Sequence, residues 1–294
     1  MDFSLQLTQY EDLSRIQFPA MACLCEVLID SADASLALRL GELARDEARR
    51  IEHKFSRYRD DSVVAAINHA AGAAITVDDE TAGLLDFADE LFALSEGRFD
   101  ITSGILRRVW RFDGSDRLPA AAGIDALLPL IGWHKVRWQK PELQMAPGME
   151  IDLGGIGKEY AVDKVFALLA AQFAGALLVN FGGDLRARGP RSDGSAWQVG
   201  VEKVSAGQPE LLSLTTGAIA TSGDSQRYLL RDGVRYSHIL DPRTGWPVQQ
   251  APHAVTVMAA SCVQAGVFST LALMMGSDAE AFMQDQDVPF WSMR

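Results

Sequence analysis

The chain has 294 residues, a formal net charge of −12 and three cysteines. That length can bury a large core, as one big domain or two modest ones, and a composition 48% hydrophobic and 22% charged is that of an ordinary globular protein. The acidic balance sets nucleic acid aside as a partner, since phosphate backbones need a basic surface. Three cysteines without framework spacing argue against a disulfide-stapled secreted domain.

The first ten residues carry no basic region and no long apolar run, so no signal peptide is expected there. The apolar stretches 165–181 and 267–275 are either broken by Gln172 and Gly175 or too short to cross a bilayer. The expectation is a cytoplasmic protein with no membrane partner. Residues 20–30 read as a strand, with Cys23 and Cys25 on one face as small buried groups. Apolar positions 36, 40, 43, 44, 48, 51 and 55 have helical spacing, and a second helix is predicted over 79–95, stopping at Gly97. Residues 111–123 read as a loop or hairpin insertion and 139–149 as another break. A helix over 159–172 and a strand over 177–181 follow. Further strands are predicted over 197–202, 211–215 and 255–259, then a helix over 262–275 and a shorter one after Ser277. Strands and helices interleave without regular βαβ alternation, which favours α+β.

Several segments carry chemistry. Asp152-Leu-Gly-Gly-Ile-Gly-Lys158 lets the backbone approach a ligand ahead of a helix, where N–H groups can cradle phosphate. It fails the Walker A template, because Glu159 follows Lys158, and it lacks the third glycine of the dinucleotide fingerprint. By itself it reads as a strand-to-helix turn, and Gly182-Gly-Asp184 as a tight turn. Asp100 is either a helix cap or a carboxylate for a ligand's amide or amine edge. Tyr58 is either a packed aromatic at a helix end or a stacking platform for a planar ring. In Tyr236-Ser-His-Ile-Leu-Asp-Pro-Arg-Thr-Gly-Trp-Pro247, His238, Asp241 and Arg243 share a turn-rich stretch, so His238 stands out among the five histidines. His53, His69, His134 and His253 lack such company and read as structural.

Taken in order, these segments resemble the FAD:protein FMN transferase (ApbE) family. Met21-Ala-Cys is similar to its early Met-Gly-Thr, Phe55-Ser-Arg-Tyr-Arg-Asp-Asp-Ser62 to Phe-Ser-x-Tyr-x-x-x-Ser, and Gly97-Arg-Phe-Asp100 to Gly-Ala-Phe-Asp. Asp152 to Lys158 resembles Asp-Leu-Gly-Gly-Ile-Ala-Lys. Asn180-Phe-Gly-Gly-Asp184, Thr221-Ser-Gly-Asp224 and Ser237 to Gly245 complete the set. The resemblance covers about residues 18 to 290. It implies an α+β, ApbE-like fold of mixed sheets with packed helices and an FAD cleft between two lobes, in one catalytic domain over 1–294 with a lobe division near residue 150. It implies Mg²⁺-dependent transfer of FMN from FAD to a Thr or Ser hydroxyl of a target flavoprotein, releasing AMP. Met21, Tyr58, Arg98, Phe99, Asp100, Asp152, Lys158 and Leu240 fall where the family contacts FAD, and His238 and Asp241 are the candidate base or orienting groups. Gly155, by its carbonyl, and Ser269 and Thr270 fall where the family holds its metal.

Two positions depart from the pattern. The late Ala-Asp-x-x-(Ala/Ser/Asp)-Thr motif reads Ala265-Gly-Val-Phe-Ser-Thr270, so Gly266 stands where the family has its metal-binding Asp. Mg²⁺ prefers carboxylate oxygens, so its affinity should fall, and an Asp restored at 266 should raise metal-dependent activity. The alternative reading is an FAD-binding ApbE-like protein with weak or lost transferase activity. Glu159 stands where the family has Gly. It reads as an exposed first-turn acid, or as a carboxylate repelled by phosphates unless it faces away or serves as a metal ligand.

Overall fold

The computed structural model describes residues 5–201, 210–224 and 227–294. Eight strands form one antiparallel sheet whose spatial order is the chain order: β1 (Gln6–Gln9), β2 (Ser14–Ala20), β3 (Cys23–Ile29), β4 (Leu177–Phe181), β5 (Asp184–Arg188), β6 (Gly217–Gly223), β7 (Ala254–Ala259) and β8 (Phe290–Met293). Strand alternation decides what each face does. In β2, Ser14, Ile16, Phe18 and Ala20 point inward while the residues between them are only half-buried.

Four helices cover that inner face: α1 (Ala34–Phe55), α2 (Asp79–Leu94), α3 (Gly157–Gln172) and α4 (Cys262–Met274). Helix α1 starts where Asp33 accepts the N–H groups of Ser35 and Leu36, and it buries a stripe through Leu40, Ala44, Ala48, Ile51 and Phe55. Each large aliphatic side chain on that stripe contributes about 1.5–3 kcal/mol. On the opposite face, Leu178, Leu185 and Ile219 pack under Trp197, Leu212 and Leu214 of a two-stranded hairpin, Trp197–Val201 with Glu210–Leu214. Residues 177–179 therefore read as an apolar run, because β4 is covered on both sides.

A third cluster, Ile105, Leu106, Trp110, Ile124, Leu127, Ile131 and Leu229, sits apart. It joins the 3₁₀ helix Ile101–Arg108 to the hairpin Tyr228–Arg231 with Val234–Ser237 and to the turn that follows. A three-stranded sheet, Ile75–Thr76, Glu142–Gln144 and Arg137–Gln139, completes the fold.

The α+β expectation holds. The predicted helices match closely: 159–172 is Gly157–Gln172, 262–275 is Cys262–Met274, and the helix after Ser277 is Ala279–Asp285. The strand placed at 20–30 begins at Cys23, because Met21 and Ala22 form a turn. The strand placed at 197–202 is seen to Val201, and Glu202 lies outside the described residues. Strands β1, β2 and β8 and the hairpin at 228–237 had no sequence expectation. In β1, β8 and the hairpin the strands are four residues long and partly exposed, which leaves a weak periodic signal, and in β2 Pro19 interrupts the strand signal.

Candidate active site

Two tight turns lie side by side at one end of the sheet. Met21 and Ala22 link β2 to β3 across the Ala20–Cys23 pair, and both adopt left-handed backbone with φ of 56°. That geometry matches the twist of a two-residue hairpin but costs about 1 kcal/mol or more for a non-glycine residue. Gly182 and Gly183, with φ of 63° and 103°, link β4 to β5 in the same way. A β-carbon on Gly182 would stand 2.9 Å from that of Cys23, so the turns touch. Cys23 and Cys25 share a face as expected, their sulfurs 3.9 Å apart.

Asp184 leaves the second turn almost fully buried, and its Oδ1 accepts the Thr221 N–H at 3.2 Å. Its other oxygen holds Lys158 Nζ at 2.6 Å. Burial opposes the charge on Lys158, but the ion pair more than offsets it and raises the lysine pKa. Lys158 sits in the first turn of α3, whose N-terminus has no side-chain cap, so backbone donors there remain for a ligand. The glycine-rich turn before it packs on Phe99: a β-carbon on Gly155 would lie 3.3 Å from that ring.

Helix α4 lies against α3 and is pinned there. Asp163 accepts the N–H groups of Cys262 and Val263, both at 3.0 Å, and pairs with Arg186 at 2.8 Å. One turn along each helix, Glu159 meets Gly266. A β-carbon on Gly266 would lie 2.5 Å from Glu159 Cγ and 2.9 Å from its Oε1. The exposed first-turn reading of Glu159 is thus corrected. Its Oε2 is sealed from solvent and has no hydrogen-bond partner, because α4 covers it. Burial, and then the charge on Asp184, raise its pKa well above the usual carboxylate range, against the pull of Lys158. Ser269 and Thr270 follow on α4. Ser222 on β6 lies 2.8 Å from each of their hydroxyls, and Ser269 donates to the Gly266 carbonyl at 3.0 Å. Among the described residues, no three His, Cys, Asp or Glu side chains gather as a metal cluster.

Tyr58 and Asp152 form a second group. Tyr58 lies just past α1 with its side chain 78% exposed, Arg57 against its ring at 5.7 Å and Arg107 donating to its hydroxyl at 3.2 Å. Asp152 pairs with the same two arginines, each at 3.3 Å, and accepts the Gly154 N–H at 2.9 Å. Arg57 and Arg107 thus adjoin the glycine-rich turn, partly neutralised by Asp152 and, for Arg57, by Glu150 at 3.5 Å.

Asp100 is a cap: Oδ1 accepts the backbone and hydroxyl of Thr102 at 2.8 and 2.6 Å, and Oδ2 accepts the Trp133 N–H at 3.0 Å. Arg98, beside it, lines a groove of about 400 Å³ together with Asp241, Arg243 and Trp246. Leu240 packs into the third cluster and bridges to Pro247.

His238 and Asp241 are not hydrogen-bonded to each other. Asp241 is engaged by Arg243 through Nε at 2.9 Å and Nη2 at 2.7 Å, and its backbone carbonyl closes the turn at Gly245. The His238 ring meets Phe112 edge-on, and its Nδ1 lies 3.1 Å from the Arg227 carbonyl. A carbonyl only accepts, so Nδ1 carries the proton and Nε2 keeps its lone pair in the neutral ring. Loss of solvent lowers the ring's pKa to about 4, so it is neutral at pH 7.

Sequence reading set His253 aside, yet its Nδ1 lies 3.2 Å from Asp224, which also holds Arg235 at 3.1 Å. The missing signal was pairing: His253 faces Asp224 only because β6 and β7 are neighbours.

Comparisons with known proteins converge on one family. A family model described as "ApbE family" matches residues 21–290. The FAD:protein FMN transferase of Vibrio cholerae serotype O1 is 33% identical over 236 residues, covering 78% of this chain and 71% of that protein. That of Klebsiella pneumoniae is 33% identical over 269 residues, covering 88% and 82%. The apo form of the Pseudomonas stutzeri flavinyl transferase ApbE superposes with a TM-score of 0.85 at 29% identity, covering all of this chain and 93% of the other.

Proposed function

The chain belongs to the ApbE family, and on that premise we propose that it transfers the FMN half of FAD to a hydroxyl of a target flavoprotein, releasing AMP. One observation carries the reading. The end of the sheet brings the uncapped start of α3, Lys158 and the Ser222–Ser269–Thr270 hydroxyls to one place beside an exposed aromatic flanked by arginines. These are the parts a dinucleotide needs: donors and positive charge for the pyrophosphate, and a ring platform for a planar group.

In this reading Tyr58 stacks on a ring of FAD, while Lys158, Arg107 and the backbone N–H of Gly155 receive the phosphates. Met21, Arg98, Phe99, Asp100, Asp152 and Leu240 shape the walls. Asp152 acts through Arg57 and Arg107, and Asp100 through the backbone that it caps. The acceptor Thr or Ser oxygen attacks the FMN phosphorus. The bond from that phosphorus to the bridging oxygen breaks, and the bridging oxygen departs with AMP. The acceptor's proton goes to the free Nε2 of His238, a neutral ring with its lone pair available. Asp241 holds the turn after His238 rather than the ring itself.

The residues present fit a hard divalent cation. The site offers oxygen donors only, and one of them, Glu159 Oε2, is buried without a partner. Mg²⁺ is assigned here, at the Gly155 carbonyl and the Ser269 and Thr270 hydroxyls. When bound it neutralises charge on the pyrophosphate and on the leaving group. Location is read as cytoplasmic: all three cysteines are free thiols, as suits a reducing compartment. Among the described residues no helix is long and apolar enough to cross a membrane.

The test is incubation with FAD, Mg²⁺ and a domain carrying an acceptor Thr, followed by mass spectrometry for covalent FMN and chromatography for AMP. A second reading, an FAD binder with little or no transfer, is motivated by Gly266. FAD binding without AMP release would favour it.

A further inference from the structure

Two buried side-chain atoms among the described residues lack a hydrogen-bond partner, Arg235 Nε and Glu159 Oε2; Arg235 is still held by Asp224 through Nη2, whereas no hydrogen bond holds the Glu159 oxygen. Lys158 and Asp184 satisfy each other, Asp163 caps α4, and Ser222, Ser269 and Thr270 share hydrogen bonds. Glu159 has a carboxylate oxygen shut away from water with nothing to bond to. Such an atom costs about 1–3 kcal/mol, and more if charged. A first-turn glutamate could avoid that by turning into solvent, but α4 has cleared a place for it. Residue 266 has no side chain, and the Glu159 carboxyl fills the volume a side chain there would need. The two positions are matched: a side chain on both cannot fit, and one on neither would leave a hole. The place so filled lies on α4 one turn before Thr270 and three residues before Ser269, on the helix face those hydroxyls share.

We propose that Glu159 supplies from α3 the carboxylate that the cation site lacks on α4, so that Gly266 makes room for a ligand instead of marking a lost one. The inference rests on the Mg²⁺ reading above and deepens it. The ligand set is then the Glu159 carboxylate, the Thr270 and Ser269 hydroxyls and a backbone carbonyl of the glycine-rich turn, with water completing the shell, as Mg²⁺ usually retains. The Asp163 clamp holds the helices in the register that keeps Glu159 over Gly266. The unpartnered oxygen is a cost to the metal-free fold that the cation removes.

The test measures Mg²⁺ binding by calorimetry on the full chain, with Mn²⁺ by electron paramagnetic resonance as a second probe, and melting temperature with and without Mg²⁺. FAD affinity in chelator serves as the control. Glu159→Gln, which keeps the shape and removes the charge, is expected to weaken Mg²⁺ at least about tenfold. It should raise the metal-free melting temperature, abolish the Mg²⁺-induced rise and leave FAD affinity in chelator within about twofold. The double variant Glu159→Gly with Gly266→Asp returns the carboxylate to α4 and is expected to recover Mg²⁺ affinity to within about threefold of wild type. Unchanged Mg²⁺ affinity in Glu159→Gln overturns the inference while leaving the transferase reading intact. A double variant as weak as Glu159→Gln also counts against it. If the wild type takes up FAD but neither Mg²⁺ nor Mn²⁺, the metal reading fails first and this inference with it.

Discussion

Asp163 binds the start of α4 with both carboxylate oxygens, one on the Cys262 N–H and one on the Val263 N–H, each at 3.0 Å. Two otherwise unpaired donors of α4 are thereby satisfied by a side chain of α3, and the two helices that frame the site become one unit. A typical cap contributes about 0.5–2 kcal/mol. Asp163→Ala should therefore lower the unfolding free energy by about 1–2 kcal/mol, with the urea m-value unchanged. It should also reduce the Mg²⁺-induced stabilisation, because Glu159 and Gly266 lose their register. A variant as stable as wild type would show the clamp to be idle.

Gly266→Ala sets two effects against each other. Alanine gains up to about 1 kcal/mol of helix propensity. The new methyl would sit 2.5 Å from Glu159 Cγ between two packed helices, and overpacking of this kind costs about 1–3 kcal/mol. Net destabilisation is expected, with reversal to stabilisation in a Glu159→Gly background. Chemical denaturation of the four proteins in the cycle measures the coupling directly. Gly266→Asp alone should fare worse, since it adds a second buried carboxylate. This is the opposite of the gain that the sequence reading expects from the same change, and metal-dependent activity of the single variant decides between the two.

His238 predicts an acid-side loss of stability. An unfolded histidine titrates near 6.5, whereas the folded ring titrates at about 4. Between those values the folded state binds fewer protons than the unfolded chain. Its contribution is therefore complete above pH 6.5 and is lost as pH falls towards 4. Urea melts from about pH 7 to pH 4.5 should show a shallower decline for His238→Gln than for wild type. The same variant should lose FMN transfer at pH 7 while still binding FAD. An identical pH slope in both proteins would contradict the assignment.

Tyr58 separates binding from folding. Tyr58 is mostly exposed, with Arg57 against its ring and Arg107 on its hydroxyl, so Tyr58→Ala should change stability by less than about 0.5 kcal/mol. A stacking aromatic contributes about 1–3 kcal/mol per base, and FAD affinity, followed by flavin fluorescence, should fall by a corresponding factor. Tyr58→Phe should retain most of it. Equal FAD affinity in Tyr58→Ala would remove the tyrosine from the site.

The amino-acid pattern alone determined much of this protein. Helices α1, α3 and α4 and the strand at 177–181 follow from apolar spacing, which is a local property of consecutive residues. The ordered motifs around Asp152, Gly182, Thr221 and His238 named the family, because the chemistry of a site constrains residue type at fixed spacing. Tertiary structure alone decided how those residues pair. His238 and Asp241 look like partners in sequence yet bond elsewhere, while Asp224 finds His253 across two neighbouring strands. Glu159 and Gly266 appear as two unrelated departures far apart in the chain, and only the packing of α3 on α4 shows that one fills the space the other vacates. Spacing along a chain encodes which face a residue shares; contact between distant segments depends on the whole core that brings them together.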